Sequence, residues 1–134
     1  MDNSIIYPDT IMNLKAFLLI FIGGGLGSSL RFLIAQLMRP YSNQFPFGTL
    51  IANALGCFFI GLCISYLNRL GVLKESLNLF LVVGFCGGLT TFSSFSLDLL
   101  NLIKGGPSFF PLLYFIGNIL LGLLFLLFGL WINR

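Results

Sequence analysis

The sequence lacks histidine altogether, and only four of its 134 residues are acidic. Histidine and carboxylate side chains supply most general bases and many metal ligands in proteins, so a hydrolase or a metalloenzyme is hard to build from this composition. We therefore predict that the protein is not an enzyme. Basic residues are also few, and the seven that occur are scattered along the chain without forming a patch, which argues against a nucleic-acid partner.

Charged residues of both signs make up 8% of the chain, whereas 57% of the residues are hydrophobic and the mean hydropathy is +1.02. This composition leaves too little polar surface to cover a soluble globule. A membrane-spanning helix needs roughly 20 mainly apolar residues, and four such stretches occur, at about 15–38, 48–67, 77–103 and 109–132. We predict one all-α domain over residues 1–134, integral to the cell membrane and its lipid bilayer, with a polar N-terminal tail at residues 1–13.

The three cysteines are few and fall within these apolar stretches, at Cys57, Cys63 and Cys86. A disulfide framework or a thiolate metal site would be unusual in such surroundings. We interpret them as small buried apolar residues.

The third apolar stretch contains an unusual run, since residues 84–95 read GFCGGLTTFSSF. Glycine weakens a helix by about 1 kcal/mol relative to alanine, and the hydroxyls that follow can bond to backbone groups that a broken helix frees. We therefore predict a break in this helix near the middle of the membrane. Irregular backbone is tolerated at that depth only where it is buried in protein or lines a watery cavity, so the break indicates an ion site.

The first helix carries Gly23, Gly27 and Arg31 at a spacing of four residues, which places them on one face. The glycines favour close contact with another helix. A guanidinium inside an apolar helix is costly unless it is paired, bonded to carbonyls or able to reach water. We expect Arg31 either to anchor the fold or to face a wet vestibule.

The second and fourth helices also carry small and polar residues at helical spacing. On the second helix, a ridge of small residues at Gly48, Ala52 and Gly56 lies beside a polar stripe formed by Thr49 and Asn53. The fourth helix has a second polar stripe, at Tyr114, Asn118 and Gly122. An asparagine in hydrocarbon presents two N–H donors that need acceptors. From spacing alone, Asn53 and the fourth-helix stripe fit interhelical hydrogen bonds and ion contacts equally well.

The distribution of positive charge gives only a weak preference for one orientation in the membrane. Four spans place four basic residues on one side and two on the other: Lys15, Arg69, Lys74 and Arg134 against Arg39 and Lys104. A chain with so small a bias can insert in both orientations. Our hypothesis is that two opposed copies meet as an antiparallel dimer.

Three motifs now identify a resemblance that covers the chain from about Leu14 onward. GGGLGSSLR at 23–31, PFGTLIANALG at 46–56 and GFCGGLTTFSSF at 84–95 resemble the fluoride channel family known as Fluc or CrcB. The resemblance implies an antiparallel, dual-topology homodimer, or a dimer with a second homologous subunit. It also implies two fluoride pores, each lined by both subunits, and a structural sodium ion (Na+) at the interface.

The resemblance also implies roles for single residues. Backbone carbonyls of Gly87 and Thr90 would bind the sodium ion, while the pore would be lined by Phe92 and Phe95, by the amide of Asn53, and by polar contacts from Tyr114, Thr49 and Ser93 or Ser94. Neutral donors suit conduction because a fixed charge would hold a small anion too tightly to release it. Phenyl rings can present a positive edge to the anion.

The fourth helix differs from the family pattern at two places. Asn118 stands where the family usually has serine, and residues 123–128 contain no hydroxyl. Asn118 therefore either replaces a hydroxyl donor in the pore or marks this chain as a less conductive variant, of the kind that an arrangement of two paired genes would tolerate. Asp98 is expected to cap or pair near the end of the third helix, without a catalytic role.

The implied function is passive fluoride export, which protects a cell in which neutral HF enters and is trapped as the anion. Two other functions fit a small four-helix membrane protein. A multidrug exporter of this size needs a carboxylate in its first helix, and residues 15–38 contain none. A non-transporting accessory subunit would leave the break in the third helix unexplained.

Overall fold

The computed structural model describes residues 14–67 and 74–132, and within these residues the secondary structure is helical. Helix α1 is Leu14–Met38 and α2 is Phe47–Leu67; α3 consists of the consecutive pieces Lys74–Leu77, Asn78–Cys86 and Gly87–Leu89; α4 is Phe92–Lys104 and α5 is Phe110–Ile132. The predicted tail at residues 1–13, Arg69, Arg134 and the side chain of Lys74 lie outside the described residues.

Four segments are long and apolar enough to cross a membrane, at Leu14–Tyr41, Phe47–Leu67, Glu75–Lys104 and Phe110–Ile132. Helices α3 and α4 together make the third of them. The predicted four spans are thereby confirmed, with ends that differ from the expected ones by a few residues. The chain is an all-α, multi-pass membrane protein.

Helices α1 and α3 pack backbone against backbone through glycine. A Cβ atom at Gly27 would overlap the carbonyl oxygen of Phe85 and lie 2.8 Å from the backbone nitrogen of Leu89. A Cβ atom at Gly88 would in turn overlap the carbonyl oxygen of Gly24. The close helix contact predicted for the first helix is present, and it fixes the part of α3 that precedes the break.

Helix α2 uses small residues on two sides. Ala52 is fully buried, and a Cβ atom at Gly56 would overlap the methyl group of Thr90. Further along α2, Gly61 packs against α5, where a Cβ atom would overlap the carbonyl oxygen of Leu126. The predicted small-residue ridge therefore brings α2 against the break, and Gly61, which lies beyond the predicted ridge, brings α2 against α5.

The buried core lies beside the break. It consists of Ile34, Ala52 and Leu89, one residue from each of α1, α2 and α3. Cys86 is fully buried, as expected, whereas Cys57 and Cys63 are free thiols that are only half-buried. The middle piece of α3, Asn78–Cys86, is a π-helix, a wide form that often occurs at functional sites.

Candidate functional site

The third span is interrupted between Leu89 and Phe92, near the middle of Glu75–Lys104. Thr90 has φ −78° and ψ 151°, and Thr91 has φ −153° and ψ 121°, so both residues are extended. The predicted break is confirmed, but it follows the glycines, because Gly87–Leu89 is still helical. Gly88 serves close packing against α1, and the two threonines make the break.

The threonine hydroxyls bond to the two helix ends that the break creates. Thr90 Oγ1 donates to the carbonyl oxygen of Cys86 at 3.0 Å, and the Thr90 N–H donates to the same oxygen at 2.9 Å. Thr91 Oγ1 accepts from the backbone N–H of Ser94 at 3.2 Å and is the N-cap of α4. A cap of this kind stabilises a helix by about 1 kcal/mol.

Asn53 on α2 is hydrogen-bonded to the break from the side. Its Oδ1 accepts from the Thr91 N–H at 2.8 Å, and its Nδ2 donates to the Thr91 carbonyl at 3.3 Å. The same Nδ2 donates to Oδ1 of Asn118 at 3.2 Å. Both asparagines therefore make interhelical hydrogen bonds, and Asn53 pairs with the extended Thr91 as a neighbouring strand would.

Two carbonyl groups lose their helical donors because of these bonds. In an unbroken helix the Thr91 N–H would bond to the Gly87 carbonyl, and the Ser94 N–H would bond to the Thr90 carbonyl. Here the first N–H donates to Asn53 and the second to Thr91 Oγ1. Gly87 lies on the exposed surface of the chain and Thr90 is half-buried.

Arg31 anchors α1 to the broken segment. Its Nε donates to the carbonyl oxygen of Gly88 at 3.1 Å, and Ser28 Oγ donates to the same oxygen at 3.5 Å. This hydrogen bond fits the anchoring role expected for Arg31.

A cavity of about 560 Å³ opens beside the break. Its lining combines aromatic, amide and hydroxyl side chains, contributed by Asn53, Cys57, Thr90, Thr91, Phe92, Phe95, Phe115, Asn118 and Ile119. The Phe92 ring is 79% exposed and the Phe95 ring only 8%, with 5.6 Å between their centroids. We call this the break cavity.

A carboxylate joins three helices just beyond the break cavity. Thr49 Oγ1 donates to Oδ2 of Asp98 at 2.6 Å, and the Tyr114 hydroxyl donates to the same oxygen at 3.1 Å. Tyr114 is fully buried, and its ring stacks on Phe95 with 5.4 Å between centroids. Asp98 thus does pair, as expected, but at the centre of a half-buried polar cluster.

A second cavity, of about 520 Å³, lies on the other side of Asp98. Much of its lining is polar and comes from the connector between α1 and α2, from α4, and from the connector between α4 and α5. The full lining is Ser42, Asn43, Gln44, Phe45, Pro46, Asp98, Asn101, Leu102, Gly105, Ser108 and Phe110. We call it the connector cavity. Three contacting side chains link the two cavities: Asp98 bonds to Tyr114, and the Tyr114 ring stacks on Phe95.

The structure therefore groups the predicted site residues in two places. Asn53, Phe92, Phe95 and Asn118 line the break cavity, while Thr49 and Tyr114 bond to Asp98. Ser93 is exposed beside the break, with its Oγ 3.0 Å from Thr91 Oγ1. Sequence analysis missed the central position of Asp98, although an acidic residue inside an apolar span is itself a functional signal.

The Asp98 cluster yields a prediction about stability. Replacing Asp98 with leucine leaves the buried Tyr114 hydroxyl without its acceptor, and we expect the free energy of unfolding to fall by about 1–3 kcal/mol. Asp98→Asn keeps a carbonyl oxygen in that place and should cost less. Thermal unfolding in detergent measures both variants, and a leucine variant as stable as the asparagine variant would contradict the role assigned to the two hydroxyl bonds.

Comparison with known proteins places this sequence in a family. The family profile described as CrcB-like protein, Camphor Resistance (CrcB), matches residues 18–130. A relative named fluoride-specific ion channel FluC, from Phocaeicola vulgatus, is 43% identical over 124 residues, which are 90% of this chain and 100% of the relative. Proteins of the same name from Serratia proteamaculans and Prosthecochloris aestuarii are 43% and 40% identical, over 90% of this chain and 98% and 94% of theirs. The chain belongs to the CrcB family.

Proposed function

We propose that the chain forms a fluoride-selective channel through which fluoride leaves the cell passively, without any chemical conversion. The relatives are named for this activity. The observation that carries the proposal is the interrupted third span, which opens onto a cavity lined by neutral donors and aromatic rings. Two physical consequences of the break support an anion pathway, and a third suits a structural cation.

First, the break creates two helix ends of opposite polarity. The N-terminus of α4, capped by Thr91, presents backbone N–H groups and a partial positive charge beside the break cavity. The end of α3 presents carbonyl groups instead. A small anion is favoured at the first end and a small cation at the second.

Second, the polar groups of the break cavity carry no full charge. Among the described residues that line it, the hydrogen-bonding groups are amides, hydroxyls and a thiol. Conduction needs contacts strong enough to replace water around fluoride and weak enough to release it. Rings of Phe92 and Phe95 turned edge-on to the anion would meet that need and would narrow the path against larger halides.

Third, the freed carbonyls of Gly87 and Thr90 fit a sodium ion. A hard cation prefers oxygen ligands, and two such carbonyls from each of two copies would supply four. The ion would fix the broken ends in place, and the pathway for fluoride would remain with the neutral donors. Exchange of sodium for a large organic cation should therefore lower the thermal stability of the assembled protein, and unchanged stability would count against this site.

We further propose that a second copy covers the break. The extended residues Thr90 and Thr91 are only half-buried in the single chain, and the helix ends beside them are exposed at Gly87, Phe92 and Ser93, although irregular backbone is not tolerated against lipid. An antiparallel homodimer would bury the break and complete each pore; a second homologous subunit is the alternative partner. In a background without the native cysteines, an Asn43→Cys variant should be labelled from both sides of the membrane, and labelling from one side alone would contradict dual topology.

A growth experiment separates this function from the two alternatives. A bacterium that lacks its own fluoride exporter is given the chain and grown with fluoride or with lipophilic cations. Rescue from fluoride alone supports the channel, rescue from the cations supports a multidrug exporter, and rescue from neither supports an accessory subunit. We expect rescue from fluoride alone.

A further inference from the structure

The Tyr114 ring contacts one phenyl ring from the lining of each cavity. Tyr114 is fully buried, and its hydroxyl donates to Asp98. Phe95, which lines the break cavity, stacks on the Tyr114 ring with 5.4 Å between centroids and 27° between planes. Phe45, which lines the connector cavity, meets the same ring at 5.5 Å and 85°. The side chain that separates the two cavities is therefore held from both of them.

Phe45 is held in place by rings although its backbone is irregular. It belongs to the connector between α1 and α2, where residues 42–46 are not helical. Its ring also meets Phe47 at the start of α2, with 4.9 Å between centroids, and Phe110 at the start of α5, with 6.2 Å. With Tyr114, three aromatic contacts from two helices fix the half-buried Phe45 ring over the buried tyrosine.

We propose that Phe45 is a positioning residue for selectivity, which holds the Tyr114 ring against Phe95 and so keeps the route between the two cavities narrow. This inference rests on the proposed function and goes beyond it. The family resemblance makes Phe92 and Phe95 the rings of the pore, whereas Phe45 comes from a connector and does not line the break cavity. Phe45 acts on the ion only through Tyr114.

Loss of the Phe45 ring would widen the route from the connector side. Because Phe45 both lines the connector cavity and contacts Tyr114, its removal would extend that polar cavity up to the tyrosine ring. Tyr114 would then be free to move away from Phe95. Pore diameter decides which ions pass, so a halide larger than fluoride would gain most from the added room. The break cavity would keep all of its lining residues.

The ratio of chloride efflux to fluoride efflux from liposomes separates this role from a purely structural one. The ratio does not depend on how many folded channels the liposomes contain. Size discrimination in an apolar pocket is typically worth tenfold or more for a single missing group, so we expect Phe45→Ala to raise the ratio at least about tenfold while fluoride efflux is retained. Phe45→Leu, which keeps apolar bulk without a ring, should raise it less.

Phe47→Ala is the matched control. It removes a neighbouring ring that also contacts Phe45, but Phe47 lines neither cavity. Phe45 would keep its contacts with Phe110 and Tyr114 in this variant. We expect the ratio of the unaltered chain. An equal rise in both alanine variants would overturn the proposal, because the effect would then belong to the connector as a whole.

A folded Phe45→Ala protein with the ratio of the unaltered chain would also overturn the proposal. This holds whether its fluoride efflux is normal or reduced, since slower efflux without loss of selectivity is the result of a structural role. Thermal unfolding in detergent checks that the variants are folded, and if Phe45→Ala is not, Phe45→Leu decides by the same criterion. If the unaltered chain shows no fluoride efflux, the proposed function fails, and this result is distinct from a failure of the Phe45 assignment.

Discussion

Replacing Asn53 with aspartate is expected to abolish fluoride flux. The carboxylate has the shape of the amide and can still accept from the Thr91 N–H. Its second oxygen, however, would face two other acceptors, the Thr91 carbonyl and Asn118 Oδ1, where the amide now donates. A negative charge would also stand in the cavity that the anion must enter. We expect efflux to fall by at least about 100-fold, since two bonds to half-buried groups are lost together and a negative charge is added.

Efflux from liposomes that contain each purified variant measures this effect. Gln36→Glu is a suitable control, because it makes the same amide-to-acid change at an exposed position of α1 away from both cavities. We expect the control to conduct at the rate of the unaltered chain. An Asn53→Asp protein that conducts as well as the control would remove Asn53 from the mechanism.

Replacing Gly27 with alanine is expected to prevent correct packing of α1 against α3. The new methyl group would overlap the Phe85 carbonyl oxygen and lie 2.8 Å from the Leu89 nitrogen. Both atoms belong to helix backbone and cannot swing aside as a flexible side chain can. Overpacking typically costs about 1–3 kcal/mol, and we expect this substitution to reach the upper end or exceed it.

The matched control lies two residues earlier on the same helix. A Cβ atom at Gly25 meets no atom within 4 Å, so Gly25→Ala should leave the fold unchanged. Thermal unfolding and the yield of folded protein in detergent compare the two variants. If Gly27→Ala were as stable as Gly25→Ala, the close approach of α1 and α3 would be wrong.

Hydropathy and residue chemistry predicted much of the fold. The four spans follow from the length of the apolar stretches alone, because a helix that crosses the bilayer must be apolar over its whole thickness. The break also follows from sequence, but its place within the motif does not. Glycine both loosens a helix and permits close packing, and only the neighbouring α1 backbone shows that Gly88 packs while Thr90 and Thr91 are extended.

The site was only partly predictable for a related reason. Spacing put Asn53 and Asn118 on polar stripes of separate helices, but it does not tell how those helices are rotated. The bond between the two amides, and the two hydroxyls that meet at Asp98, depend on that rotation. The sodium ion and the antiparallel partner involve groups outside a single chain and stay predictions.

Fluoride efflux from liposomes that contain the purified chain alone is the decisive experiment for a fluoride-selective channel. A fluoride electrode follows release after the membrane potential is collapsed, and a chloride electrode follows a matched sample. We expect fast fluoride efflux with little chloride efflux, which would also show that one kind of subunit suffices. Chloride efflux as fast as that of fluoride, or no efflux of either ion from folded protein, would contradict it.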